Sequence, residues 1–380
     1  CTNCVKTPAT DSGYSSYFAI DVTDPNNPIL LWEFSHPELG MSTSGPAIVR
    51  AGGSSNNGNW FVVFASGPTG PIDTNFRQFL GRSDQPLRLF VLDLKTGTQQ
   101  RKIETGIQNA FGSSLYHATL DADRGNQVSA GHYKDDVLYL GYTKCADSPC
   151  ATNSTWTKGG VLRVMTKENP DPGQWSISTV IDDIGPVTAA VGKLQDRKNG
   201  RLWLYFGSGR YFYKLGNAID DPGDVSDVTT IRKLYGVQEP CYSANAINGS
   251  CSASVDQGTL DDQTNSPSVS IGSSAGWYVN LDSPGSGYLQ ERVVTDPLPV
   301  FSGVVFFTTY SPSADICAVG GKTYVWALDY RSGAQPSGLS GKGLVQVSTG
   351  EIKELSLASA FTGRDGRRSA AVVGTPPKGQ

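Results

Sequence analysis

The sequence is short of several things, and each shortage excludes a class of protein. No window holds about 18 uninterrupted apolar residues, so no transmembrane helix is expected. Neither the n-region nor the h-region of a secretory signal is present, so the chain reads as mature, cleaved or a fragment. The formal charge is only -4, with no basic stripe and no run of like charge. This argues against nucleic acid as a partner. Helical periodicity is almost missing. Histidine occurs three times in 380 residues. With no second CxxC and no nearby His pair, the sequence pattern argues against a four-ligand zinc site.

What is abundant is turn-forming and strand-forming. The chain has 44 Gly, 22 Pro and 16 Tyr, a composition suited to many short strands and tight connections. The organising stretch is Tyr17 to Phe34, YFAIDVTDPNNPILLWEF. Two apolar runs flank a turn that holds Pro25 and Pro28, residues with fixed φ and no N–H to give a ladder. A weaker form returns in RLFVLDLKTGTQQRKIE from Arg88 and in YVWALDYRSG from Tyr324. Each time a strand ends in Ile-Asp or Leu-Asp before a polar turn. Such recurrence is the signature of a β-repeat architecture.

Further strands are expected at 45–49, 60–65, 114–120, 137–143, 161–166, 175–181, 187–191, 202–206, 211–215, 277–281, 289–294, 304–309 and 324–328, with 237–270 mostly loop. Roughly twenty strands at four to a blade give an all-β propeller of about five blades, with a sandwich as the competing architecture. Residues 1–16 read as a lead-in, 17–374 as the propeller domain and 375–380 as a flexible tail.

The seven cysteines are Cys1, Cys4, Cys145, Cys150, Cys241, Cys251 and Cys317. Cys145–Cys150 and Cys241–Cys251 close short polar loops and read as disulfides of an oxidising compartment. The odd count leaves two arrangements. Cys1 or Cys4 pairs with Cys317 and one thiol remains for a partner, or Cys1 is lipidated and the other six form three pairs. Val5 follows Cys4 where c-type haem attachment needs His.

Enzymatic signatures are weak. Gly272 to Gly276 spells GxSxG, but a nucleophile elbow needs a helix after the serine, and WYVNL reads as a strand. All three histidines also precede Ser274, whereas hydrolases of that kind place theirs after it. Asp135-Asp136, Asp182-Asp183 and Asp261-Asp262 are adjacent, so on a strand they point to opposite faces and make no acid–base pair. A quinoprotein dehydrogenase is the competing enzyme reading; its adjacent-cysteine pair is missing. A structural subunit of an extracellular filament is the third reading. Asn153 and Asn248 begin glycosylation sequons, a weak signal.

Tyr17–Phe34 resembles the signature hairpin of the PilY/PilC-type pilus-tip protein family. DDVLYLGYT at 135–143, GGVLRV at 159–164, RLWLYFGSGRYFY at 201–213, LYGVQEPC at 234–241 and TYVWALDY at 323–330 follow in that family's order. The resemblance implies a modified β-propeller of five to seven blades, and a non-enzymatic extracellular or outer-membrane protein. It implies a role in type IV pilus biogenesis and adhesion at the tip. Its partners would be pilus subunits (minor pilins) and a host or abiotic surface. Family propellers begin with a segment upstream of this hairpin, so the resemblance also predicts an incomplete propeller closed by a second polypeptide from the N-terminal part of the same precursor. Some members bind Ca²⁺ just before the strand that here is Val137–Thr143. The alternating positions behind Asp136 are Lys134, His132 and Ala130, which depart from that pattern. Asp121, Asp123 and Asn126 with Asp136 form a degenerate candidate site. The acidic loop Asp220, Asp221, Asp224 and Asp227 is a second candidate.

Overall fold

A computed structural model describes residues 15–52, 58–70, 72–73, 78–79, 81–151, 154–210, 214–215, 218–219, 230–265, 275–285, 287–314, 321–336, 339 and 341–347. Every long element is a strand. The first hairpin pairs β1 (Ser16–Asp21) with β2 (Ile29–Ser35).

The first full sheet is built from β3 (Ala47–Ala51), β4 (Asn59–Ala65), β7 (Arg88–Asp93) and β8 (Gln99–Glu104), in that order. A small hairpin, β5 (Ile72–Asp73) with β6 (Gln78–Phe79), interrupts it.

In the second sheet β9 (Ala110–Gly112) and β10 (Thr119–Leu120) share one edge of β11 (Val137–Lys144), followed by β12 (Lys158–Met165) and β13 (Ser176–Ile181).

The third holds β14 (Gly192–Asp196) and β15 (Arg201–Gly207), and after the small hairpin of β16 (Lys214–Leu215) and β17 (Ala218–Ile219) comes β18 (Lys233–Gln238). A second small hairpin, β19 (Tyr242–Ser243) with β20 (Ala246–Ile247), leads to β21 (Asp261–Asp262) and β22 (Gly276–Asn280), which pairs β18 on one side and β21, in parallel, on the other.

The fourth sheet is β23 (Arg292–Val293) and β24 (Leu298–Val300) on one edge of β25 (Val304–Pro312), then β26 (Gly321–Asp329) and β27 (Lys342–Val347). Apart from the parallel β21 outside β22, each sheet is thus an antiparallel meander in chain order, as a propeller blade is. Among the described residues there are four such sheets and four two-stranded hairpins, of which β1–β2 precedes the first sheet and the other three lie within connections.

Side-chain alternation explains the stacking. On β4, Phe61, Val63 and Ala65 join a core shared with Leu138, Leu140, Leu162 and Val164 of the second sheet. The intervening Val62 and Phe64 join Trp32 of the hairpin. On β11, Val137 and Tyr139 turn to the third sheet, where they meet Leu202, Leu204 and Phe206 of β15. Trp203 and Tyr205 of β15 turn the other way, toward Val305 and Phe307 of β25. A strand covered on both faces must be apolar at consecutive positions, which is why these strands read as continuous hydrophobic runs rather than alternating ones. Each such side chain contributes about 1.5–3 kcal/mol on burial.

One joint occurs twice. After β7, the Asp93 carboxylate accepts the N–H groups of Lys95 and Thr96, and Gly97 follows at φ +70°. Trp32 of β2 lies on that glycine and donates its indole N–H to Leu94 O at 3.0 Å. After β26, Asp329 accepts from Arg331 and Ser332, and Gly333 follows at φ +69°. Trp277 of β22 lies on Gly333 and donates to Tyr330 O at 3.3 Å. A Cβ on either glycine would sit 2.5 Å from the indole, closer than van der Waals contact permits. The recurring Leu-Asp turns of the sequence are therefore sockets for a tryptophan of the preceding sheet.

Not every expected strand forms. Of 114–120 only Thr119–Leu120 is strand, and of 289–294 only Arg292–Val293. Val187, Ala189, Ala190 and Val191 are buried, but 187–191 is not a strand. Their backbone bonds elsewhere: Ala190 N–H donates to the Asp296 carboxylate at 2.8 Å. Most of the expected strand 211–215 lies outside the described residues.

Candidate functional site

The strand pair β10–β11 brackets a 16-residue turn-rich connection, and its ends bring three carboxylates together. Asp121, Asp123 and Asp136 each offer an oxygen, and those oxygens lie within 4.8 Å of one another. Backbone donors hold them in place. Tyr133 N–H donates to Asp121 Oδ2 at 2.7 Å, and Ala122 N–H donates to Asp136 Oδ2 at 2.7 Å. Ser129 Oγ donates to Asp123 Oδ2. Asp121 Oδ1 and Asp123 Oδ1 are buried without a partner. Buried acceptors with no donor carry a free-energy cost that a hard cation would remove.

Asn126 is not part of the group; it is exposed and its Oδ1 accepts from Val128 N–H. Lys134, His132 and Ala130 also lie outside the cluster. Glu168, on the β12–β13 turn, comes close through Gly131, whose missing side chain leaves room for the Glu168 carboxylate. The sequence pattern gave no sign of Glu168, which lies in a segment legible only as a turn.

Burial pushes the Asp121 carboxyl up to about 7, helped by the neighbouring Asp123. Burial also raises Asp136 to about 6, with Glu168 and Asp123 adding to it against the bond from Ala122. Glu168 is raised as well, by burial first and then by Asp123. Oxygen-only, acidic and partly desolvated, the donor set could hold a metal ion and suits a hard divalent cation.

Asp135 and Asp136 diverge, whereas Asp182 and Asp183 converge on one lysine. Asp136 joins the cluster, while Asp135 turns to the first sheet and accepts Arg50 N–H at 2.8 Å. Asp182 and Asp183 take Lys144 as an ion partner. Gly276, the last residue of GxSxG, opens strand β22 rather than a helix, so no elbow forms there; Ser274 lies outside the described residues. Cys145–Cys150 and Cys241–Cys251 are both disulfide-bonded. Cys1, Cys4, Cys317 and Asp220, Asp221, Asp224 and Asp227 lie outside the described residues.

A charged pair absent from the sequence reading lies in the interface between the second and third sheets. Arg163 of β12 donates to Glu239 just after β18, and neither side chain has solvent access. Arg163 also donates to Ser178 Oγ at 2.9 Å and to Ala253 O, and Glu239 accepts Cys241 N–H at 2.9 Å. The pair thus fastens the disulfide-closed segment 241–253 to the second sheet.

Fold and site together define a propeller-like all-β protein with an acidic cation-type cluster between two of its strands, and no catalytic constellation among the described residues. No family model matches the chain. It is similar to the type IV pilus biogenesis factor PilY1 of Pseudomonas aeruginosa strain PAO1, 26% identical over 360 residues, which is 86% of this chain and 29% of that protein. A PilY1 homologue of Xylella fastidiosa strain Temecula1 is 28% identical over 364 residues, 87% of this chain and 22% of that protein. The crystal structure of the P. aeruginosa PilY1 C-terminal domain matches with TM-score 0.55 and 19% identity, over 85% of this chain and 65% of that one. The fold is therefore shared with that domain, and the chain spans less than a third of the length of these curated relatives. Among the described residues no helix is long and apolar enough to cross a membrane.

Proposed function

We propose that this chain is a propeller module acting in type IV pilus biogenesis, outside the cell at the pilus tip, where it contacts pilus subunits and a surface without catalysing a reaction. The observation that carries this is the similarity to PilY1 biogenesis factors over more than four-fifths of the chain. The propeller-like sheets and the two disulfides support it, since crosslinked loops suit an oxidising exterior.

The acidic cluster takes Ca²⁺ in this reading. Asp121, Asp123 and Asp136 would hold the ion, with Glu168 nearby as a further oxygen donor. The ion would supply positive charge to a set of partly desolvated carboxylates and so fix the β10–β11 connection.

The test removes the coding segment in frame and counts surface pili by electron microscopy. The expected result is loss of piliation, restored by the intact segment. Unchanged pilus number would overturn the biogenesis reading. Calcium titration calorimetry at pH 7.5 addresses the ion separately: Asp121→Asn should weaken binding at least about tenfold, and an intact chain that takes up no Ca²⁺ would overturn that part.

A further inference from the structure

On β26, Tyr324 and Trp326 are two residues apart and so share a face of the fourth sheet. Thr309 of β25 pairs with Tyr324, and Lys342 of β27 pairs with Trp326, which puts both on that same face. Lys342 lays its ammonium over the two rings, 4.2 Å from the centroid of Tyr324 and 4.5 Å from that of Trp326. Two carboxylates reach the same nitrogen. Asp282, just after β22, accepts from Lys342 Nζ at 2.6 Å, and Glu291, just before β23, accepts at 2.7 Å. The Glu291 side chain has no solvent access. Its Oε1 accepts Trp326 Nε1–H at 3.0 Å and the Thr309 hydroxyl, and its Oε2 also accepts Asp282 N–H at 3.0 Å. The Gln290 side-chain amide donates to Asp282 O at 2.7 Å. An amine, a carboxyl group and a buried base are thus fixed within hydrogen-bonding reach, which is more than a surface ion pair requires.

We propose that Lys342 and Asp282 condense into an isopeptide bond, with Glu291 carrying the protons. The Lys342 nitrogen, relieved of a proton by Glu291, attacks Asp282 Cγ. The N–C bond forms and the bond from Cγ to one Asp282 oxygen breaks. Glu291 hands two protons in turn from the nitrogen to that oxygen, which leaves as water. Ammonium plus carboxylate becomes amide plus water, so charge and electrons balance and no co-reactant is needed. Contact supplies the drive, since well-placed groups reach effective molarities of about 10⁵–10⁸ M. The rings of Tyr324 and Trp326 cover the amine, while Asp282 is exposed and gives the water its exit. The bond ties β27 covalently to the third sheet, between residues 60 apart in the chain, without a cysteine.

Peptide mapping of the full chain by mass spectrometry, after reduction of its disulfides, tests this. The expected product is a branched peptide that joins the Asp282 and Lys342 segments and is one water lighter than their sum. Asp282→Ala and Lys342→Arg should each abolish it, the second while keeping the positive charge and the ion pair. Glu291→Gln keeps the shape and should slow formation of the branched peptide at least about a hundredfold; an unchanged rate would overturn the role given to Glu291. Separate full-mass peptides from the folded parent chain, with the Lys342 amine open to acylation, would mean an ion pair only and overturn the proposal. The parent chain alone decides that point, so a variant that fails to fold does not shield it.

Discussion

The buried pair between Arg163 and Glu239 allows a decisive perturbation. Glu239→Gln keeps the volume and the bond to Cys241 N–H but removes the negative charge. Arg163 is then left fully buried and positive, with Ser178 Oγ and the carbonyls of Thr179 and Ala253 as its remaining partners. Removing one member of such a pair costs about 3–5 kcal/mol. In a chain of this size that corresponds to a fall in melting temperature of roughly 5 °C. Replacing both, as Arg163→Met with Glu239→Gln, removes the stranded charge and should recover most of the loss, because well-packed neutral groups often match a buried ion pair. Thermal unfolding of the intact chain, the two single variants and the double variant forms a closed cycle. A single variant within about 1 kcal/mol of the parent, or a double variant worse than the sum of the singles, would refute the view that charge neutralisation holds this interface.

Three other outcomes follow. Gly97→Ala should destabilise by about 2–4 kcal/mol, since it strains a positive-φ position and drives a methyl into Trp32; denaturant unfolding reads this, and a neutral result would mean the turn can give way. The metal-stripped chain should lose thermal stability as pH rises from 4 to 7. Asp121 and Asp136 have folded-state values of about 7 and about 6, above the unfolded carboxylate range, so the folded form binds the extra protons and deprotonation counts against it; Ca²⁺ should abolish the decline, and a flat profile without metal would contradict it. Replacing Cys241 and Cys251 by Ser should cost about 2–3 kcal/mol and expose the 241–251 segment to proteolysis; an unchanged unfolding midpoint would assign the crosslink no part in stability.

Much of the fold was legible because stacked sheets write a plain pattern. Val137–Thr143 and Leu202–Phe206 are apolar at nearly every position, and both are central strands covered on two faces. The same signal misled at 187–191. Val187, Ala189, Ala190 and Val191 are buried as a strand would be, but Ala190 N–H bonds to a carboxylate and Val187 makes only an isolated bridge to Gly209 and a bond to Tyr142 O, so no ladder forms. Burial is visible in composition; the partner of an N–H is not. The site divides likewise. Asp121, Asp123 and Asp136 come together because the ends of one connection must meet where β10 pairs with β11. Glu168 and the Arg163–Glu239 pair depend on neighbours far along the chain, and single-sequence spacing carries no trace of them.

The tryptophan socket also constrains how such a chain can diverge. Trp32 and Gly97, like Trp277 and Gly333, stand one sheet apart in the chain yet occupy one another's space. A side chain larger than hydrogen at either glycine is admissible only if the indole opposite becomes smaller. Each pair therefore forms one heritable unit, and sequences that drift to about a quarter identity while keeping these sheets should change both members together or neither.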